Sequence, residues 1–120
     1  MHRATQATAV VLLLLGGCFG REKPSLHSKD PSLKIPAIKM AVSAHDLDAC
    51  AELIKDLDSE DPAVRFYAIG GLQRLTGETF GYRYYDDEIA RKPAIAKWKQ
   101  WLAAQHATSA SWLVVELVSG

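Results

Sequence analysis

The acidic residues between positions 56 and 61 have the spacing that comes nearest to a metal site in this sequence. Asp56, Asp58 and Glu60 alternate as the first ligands of a calcium-binding loop do. Such a loop needs glycine at its sixth position and glutamate at its twelfth, where this chain has Asp61 and Tyr67. The carboxylates also fall between the end of one amphipathic stretch and the start of the next. We therefore expect a solvated acidic turn that binds no metal.

The other residue types that catalyse reactions lack the spacing that catalysis needs. His27, His45 and His106 do not form His-Glu-x-x-His or a comparable metal-ligand pattern. The sequence has no Gly-x-Ser-x-Gly, no phosphate-binding loop and no dinucleotide fingerprint. Cys50 lies on an apolar helical stripe, where a single thiol is usually a small core residue. We predict that the protein is not an enzyme and has no catalytic residue and no cofactor.

Aromatic residues between positions 82 and 101 are the remaining candidates for a ligand-binding surface, since their rings offer flat apolar area with polar edges. The candidate surface consists of Tyr82, Arg83, Tyr84, Tyr85 and Trp101. It could form a ledge for a peptide or a sugar ring. The alternative is that most of these rings form the core of a small domain, which the helical spacing of Ile95, Trp98 and Leu102 favours. We expect Trp101 and one or two tyrosines to remain exposed.

The length and charge of the chain restrict the classes of partner. The chain has 120 residues, which allows one small domain. It carries 14 Lys and Arg residues against 14 Asp and Glu residues. Because nucleic-acid-binding proteins normally carry a basic excess, this balance argues against nucleic acid as a partner.

The first residues have the layout of a secretory signal peptide. A basic start at Met1–Arg3 precedes the apolar run Ala9–Leu15, and the small residues Gly16 and Gly17 follow it. The run is too short to cross a bilayer as a helix. We therefore predict that residues 1–17 are a signal peptide and are removed from the mature protein.

Leu15-Gly16-Gly17-Cys18 resembles the bacterial lipobox. The resemblance implies cleavage before Cys18, lipidation of its thiol, and retention of the protein on a membrane of the cell envelope. More than one acyl chain makes such an anchor stable. A disulfide between Cys18 and Cys50 in a protein without lipid is the alternative.

Composition and periodicity divide the rest of the chain into a tether and helices. Residues 18–33 contain glycine, prolines and serines among charges, which is typical of a flexible tether. A first helix is predicted from about Leu33 to Ala44. A second follows an N-cap at Asp46 and has an apolar face that ends at Leu57. A third starts after Asp61 and stops at Gly77.

Two features of the later helices have less direct interpretations. Gly70 and Gly71 interrupt the third helix at a cost of about 1 kcal/mol each relative to alanine. They either permit close packing of a neighbouring helix, which we expect, or mark a weak point in the helix. The last helix is predicted to start near Pro93, with a turn at Asp87–Ala90 before it, because a proline disfavours helical conformation in the residue that precedes it, here Lys92. Residues 107–120 leave a short helix, a strand paired with another chain and a loose segment all open.

The middle of the chain resembles a HEAT-like repeat of bacterial type. The resemblance rests on Ala51–Leu57 followed by Asp61-Pro62-Ala63-Val64-Arg65. In this motif Asp61 caps the helix, Pro62 fixes its first turn, Val64 enters the core, and Arg65 bridges to an acidic group or a helix C-terminus. The resemblance implies an all-α fold over residues 34–106, a short helical hairpin (an α-solenoid fragment) with an aromatic-rich C-terminal capping helix. HEAT arrays usually need at least three stacked repeats, so a fragment this short gains from packing against a partner.

These observations predict a lipid-anchored protein of the cell envelope with a non-catalytic role. The first hypothesis is a docking or scaffold module that binds another envelope protein through a helical face. The alternative is a small lipoprotein that binds a peptide or carbohydrate on its aromatic loop.

Overall fold

The computed structural model describes residues 22–119, with side chains described for residues 22–109. The helices are α1 (Pro31–Ser43), α2 (Cys50–Asp56), which a 3-10 turn at Leu47–Ala49 precedes, α3 (Pro62–Thr76) and α4 (Glu88–Ser119). Residues 22–119 contain no β-strand, so the predicted all-α fold class is confirmed for this part of the chain. The predicted signal peptide and Cys18 lie outside the described residues.

Helix α3 is the centre of the packing, because α1 and α2 both pack against it and α2 also contacts α4. Its two ends follow the local signals of the sequence. Asp61 Oδ1 accepts a hydrogen bond of 2.8 Å from the Ala63 amide, and Pro62 occupies the first turn. Gly77 ends the helix with a φ of 82°, a left-handed conformation that glycine adopts without steric cost. The predicted start and stop of this helix are confirmed.

Helix α1 begins two residues earlier than predicted, because Asp30 supplies its N-cap by accepting a 2.9 Å hydrogen bond from the Ser32 amide. The segment before it is also part of the folded body. Leu26 packs against the core, and the Ser25 amide donates to the Leu33 carbonyl at 3.2 Å. Residues 25–30, which the sequence assigns to the tether, therefore contact the helices.

The core is a single cluster to which all four helices contribute. Its largest fully buried side chains are Trp98, Ile38, Leu53, Leu57, Leu72 and Cys50. Trp98 is 0% exposed, and its ring lies edge-on to Phe80 with centroids 4.7 Å apart. The indole nitrogen donates to the Thr79 carbonyl at 3.1 Å, so the polar edge of this buried ring is satisfied.

The start of α4 differs from the prediction. The helix begins at Glu88, and Pro93 lies inside it, which removes one backbone hydrogen bond. Asp87 offsets this cost by accepting a 2.8 Å hydrogen bond from the Ala90 amide, and the buried residues Ala94, Ile95 and Trp98 hold the next turns against the core. None of the described helices has the length and apolarity that crossing a membrane requires.

Gly70 and Gly71 have different surroundings, and this difference gives a prediction. A Cβ added to Gly71 would lie 3.2 Å from Leu53 Cδ1 and from Val42 Cγ2, whereas a Cβ on Gly70 would meet nothing within 4 Å. Gly71 therefore permits the close packing that the sequence predicts, and Gly70 does not take part in it. We expect Gly70→Ala to raise the free energy of unfolding by roughly 0.5–1 kcal/mol, since alanine is the better helix former.

Gly71→Ala gains the same helix propensity but crowds a buried leucine. We expect it to be less stable than Gly70→Ala by about 1–2 kcal/mol. Urea denaturation of the two variants checks this difference, and each serves as the control for the other. Equal stabilities would show that the contact at Gly71 relaxes without cost.

Candidate functional site

The loop between α3 and α4, residues 77–87, is fixed by hydrogen bonds to the helices. The Tyr82 hydroxyl donates to the Leu57 carbonyl at 2.6 Å, and Arg65 Nε donates to the Tyr84 carbonyl at 2.9 Å. Burial raises the pKa of the Tyr82 hydroxyl, which keeps it protonated as a donor. The loop therefore presents its remaining side chains from a fixed backbone.

Two residues of the predicted ledge do not lie on a shared surface with the rest. Tyr82 is only 5% exposed and belongs to the core. Trp101 is half-buried, packs edge-on to Trp98 with centroids 5.6 Å apart, and lines a separate cleft that also includes Leu47 and Cys50. Neither can join a ledge that the loop tyrosines build.

The other three residues of the predicted ledge remain together at the surface. Tyr85 is 66% exposed, and its ring lies edge-on to the half-buried Tyr84 with centroids 5.3 Å apart. The Arg83 guanidinium lies 5.8 Å from the centre of the Tyr85 ring and donates to Asp86 Oδ2 at 3.0 Å. This part of the surface therefore combines a cation over an aromatic face with a nearby carboxylate.

Two aromatic residues of α3 extend this patch across the surface. The rings of Tyr84 and Phe66 lie 5.1 Å apart, and those of Phe66 and Tyr67 lie 5.3 Å apart, both edge to face. Phe66 is 49% exposed. We call Phe66, Tyr67, Tyr84 and Tyr85 the aromatic strip.

The surface predicted from the sequence does not include Phe66. This residue directly follows Asp61–Arg65 inside the predicted third helix, whereas the predicted surface is drawn from the aromatic residues of the later loop and helix. A signal does exist in the sequence. Phe66 is two residues after Val64, so it lies about 200° around the helix from a residue of the buried stripe. An aromatic residue at that position must be exposed or covered by another segment.

The aromatic strip ends at a groove between α1 and α3. The groove has a volume of about 460 Å³. Its apolar lining comes from both helices and consists of Ile38, Val42, Phe66, Tyr67 and Gly71. Gly70 lies on the same side and carries no side chain, so the backbone of α3 is open to close approach there.

The charges along this groove are all positive. Lys39 and Arg74 line it, and no Asp or Glu does. The Lys39 ammonium lies 5.0 Å from the centre of the Tyr67 ring. Neither cation takes part in an ion pair among residues 22–109. The groove is therefore apolar at its base and cationic at its edges.

Asp56, the first carboxylate of the predicted acidic turn, has a structural role. Asp56 is 5% exposed and forms an ion pair of 2.5 Å with Lys34 of α1. Burial raises the pKa of the Asp56 carboxyl, and the Lys34 ammonium opposes that rise. No group of three or more His, Cys, Asp and Glu residues in the described part of the chain could hold a metal ion.

Cys50 has the surroundings of a core residue. Its side chain is 1% exposed, and burial raises the pKa of its thiol, with the carboxylates of Asp46 and Asp48 acting in the same direction. A raised pKa disfavours the thiolate, which is the nucleophilic form.

The residues of the repeat motif act together at the start of α3. Val64 is 3% exposed and lies in the core, and Asp61 and Pro62 form the helix start described above. Arg65 bonds backbone carbonyls instead of an acidic side chain. Its Nη1 donates to the carbonyls of Ser59 at 2.7 Å and Glu60 at 3.0 Å.

The candidate site is therefore the surface that consists of the aromatic strip and the adjoining groove. What it offers is exposed aromatic area, an open apolar groove and unpaired positive charge. No family model, no curated protein and no solved structure matches this chain.

Proposed function

We propose that this chain is a lipid-anchored protein of the cell envelope whose helical domain is a non-catalytic docking module for another envelope protein. In this proposal the lipid is attached to Cys18, and the domain is a HEAT-like hairpin with an aromatic cap. The partner binds along the groove between α1 and α3 and continues onto the aromatic strip.

The observation that carries the proposal is the exposure of apolar residues beside an apolar groove. Phe66 and Tyr85 are 49% and 66% exposed, although the rings of both lie edge-on to the ring of Tyr84. Contiguous exposed apolar surface of this kind is typical of protein interaction sites, and aromatic residues dominate their binding energy. A helix of the partner would fit best, because a HEAT-like fragment has an open helical face that further repeats would otherwise cover.

The positive edges of the groove indicate the chemistry of that helix. Lys39 and Arg74 lack a carboxylate partner among residues 22–109, so a partner helix with Asp or Glu beside its apolar face would satisfy both. Rim charges of this type affect the rate of association and its salt dependence more than the final affinity.

The test compares two substitutions that introduce the same charge. Phe66→Glu places a carboxylate in the middle of the proposed surface, and Met40→Glu places one at a residue that is 63% exposed on α1 and does not line the groove. The full-length chain is purified in detergent with bound envelope proteins, which are then quantified by mass spectrometry. We expect one protein to be retained by the wild type and by Met40→Glu and to fall at least tenfold with Phe66→Glu.

A retained protein must then bind through a defined segment. A synthetic helix from the retained protein, with Asp or Glu beside an apolar face, should bind the purified chain. The affinity of this helix should fall as the salt concentration rises. Equal retention by both variants would refute the docking surface. The alternative function is binding of a peptide or carbohydrate on the loop. It predicts instead that peptidoglycan fragments shift the NMR signals of Tyr84 and Tyr85, and that no envelope protein is retained.

A further inference from the structure

Gly70 is a glycine that the described fold does not require. Its backbone is helical, so no left-handed turn needs a glycine there. A Cβ at this position would meet nothing within 4 Å among the described residues, so no neighbouring segment needs the space. Glycine is about 1 kcal/mol less favourable than alanine inside a helix. Packing within the fold explains Gly71, through its contacts with Leu53 and Val42, but it does not explain Gly70.

Gly70 leaves a gap in the side chains that α3 presents to the groove between α1 and α3. Phe66, Gly70 and Arg74 line the groove and are four residues apart, so they form one ridge of the helix with glycine in the middle. An inserted side chain is surrounded by positions i, i+3, i+4 and i+7 of the facing helix. In α3 these positions are Tyr67, Gly70, Gly71 and Arg74. We call this gap, in which two of the four positions are glycine, the Gly70 hole.

The surroundings of the Gly70 hole are apolar on one side and cationic on another. Ile38 and Val42 of α1 line the same groove. Arg74 is exposed one turn after Gly70, about 6 Å farther along the helix axis. It forms no ion pair among residues 22–109. The groove therefore offers a space for an apolar side chain one turn away from an unpaired cation.

We infer that the Gly70 hole receives a bulky apolar side chain of a partner helix, and that an Asp or Glu four residues away on that helix pairs with Arg74. The inference rests on the proposed docking function and names the feature by which the groove recognises its partner. Residues four apart lie on one face of a helix at the same spacing as Gly70 and Arg74, so one helix makes both contacts. The enclosed apolar anchor supplies affinity, and the carboxylate fixes the orientation of the helix.

Charge complementarity argues for an acidic helix and against the same groove of a second copy. In a two-fold interface both copies present the same surface. The charged residues that line this groove are Lys39 and Arg74, so two copies would bring only like charges together. Such a contact is unfavourable, whereas an acidic helix neutralises these cations.

Selection from a displayed library of 16-residue helical peptides, randomised on one face, tests the inference on the full-length chain in detergent. We expect the selected peptides to share a large apolar residue with Asp or Glu four residues away. Their affinity should fall at least tenfold for Gly70→Leu, which fills the hole. Gln73→Leu adds the same side chain at an exposed position of α3 that does not line the groove, and should stay within twofold of the wild type.

Two measurements separate a filled hole from a misfolded chain. Leucine is a much better helix former than glycine, and a Cβ at position 70 meets nothing, so Gly70→Leu should unfold at no lower urea concentration than the wild type. Replacing the large apolar residue of a selected peptide with alanine should weaken binding to the wild type at least tenfold. The same replacement should change binding to Gly70→Leu less than threefold, because the side chain and the hole form one contact.

The outcomes distinguish a failure of this inference from a failure of the docking function. An envelope protein that is lost with Phe66→Glu but retained by Gly70→Leu would leave the docking function intact and overturn the inference. If retention of no protein depends on Phe66, the docking function fails, and the peptides alone decide whether the hole binds such a helix. Selected peptides without an acidic residue, equal binding to the wild type and Gly70→Leu, or the selection of no peptide would each overturn the inference.

Discussion

Replacing Trp98 with alanine is expected to remove most of the free energy of unfolding of this domain at 25 °C. Trp98 is 0% exposed and contacts the rings of Phe80 and Trp101, at centroid distances of 4.7 and 5.6 Å. Removing a buried tryptophan costs about 3–5 kcal/mol, and the Thr79 carbonyl also loses its indole donor. Small domains are stable by only about 5–15 kcal/mol, and one of this size lies at the lower end.

Thermal unfolding followed by circular dichroism at 222 nm checks this prediction. We expect Tm to fall by at least about 15 °C, if a transition remains. Trp101→Ala is the matched control, since that indole is half-buried and forms no hydrogen bond among residues 22–109. Its cost should be about 1–2 kcal/mol. Equal losses for the two variants would mean that Trp98 is not the centre of the core.

The parts of the fold that sequence predicts well are those with local signals. The start of α3 needs only Asp61 and Pro62, and its end needs only Gly77, because capping and helix termination act over one turn. The second helix shows the limit of this reasoning. The cap at Asp46 is present, but it starts a 3-10 turn that becomes α-helical only at Cys50.

The parts that sequence does not predict depend on contacts between distant residues. Pro93 argues locally for a helix start, whereas the cap at Asp87 and the burial of Trp98 extend the helix through it. The candidate site is of the same kind. Its groove exists only because α1 packs beside α3, and Phe66 becomes part of an aromatic strip only because the loop brings Tyr84 to it.

One buried side chain, Arg65, joins that loop to the turn before α3, and its removal is the second large prediction. Arg65 is 9% exposed and donates to the carbonyls of Ser59, Glu60 and Tyr84. It therefore joins the turn before α3 to the loop after it. Arg65→Met keeps the aliphatic part of the side chain but leaves three carbonyls without their donor. Because hydrogen bonds from a charged donor contribute about 1.5–3 kcal/mol and do not add fully, we expect a loss of roughly 2–4 kcal/mol.

Two further variants at arginine positions make the test specific. Arg74→Met removes an exposed guanidinium that forms no hydrogen bond or ion pair among residues 22–109, so its effect on the free energy of unfolding should stay within about 0.5 kcal/mol. Arg65→Lys keeps the charge but lacks the planar fork that reaches both segments. We expect it to be intermediate in stability and to speed amide hydrogen exchange in residues 82–86 more than in the rest of the fold. If Arg65→Met were as stable as Arg74→Met, the other anchors of the loop would suffice to position it and the aromatic strip. These anchors are the hydrogen bonds from Tyr82 to Leu57, from Trp98 to Thr79 and from Arg91 to Asp86.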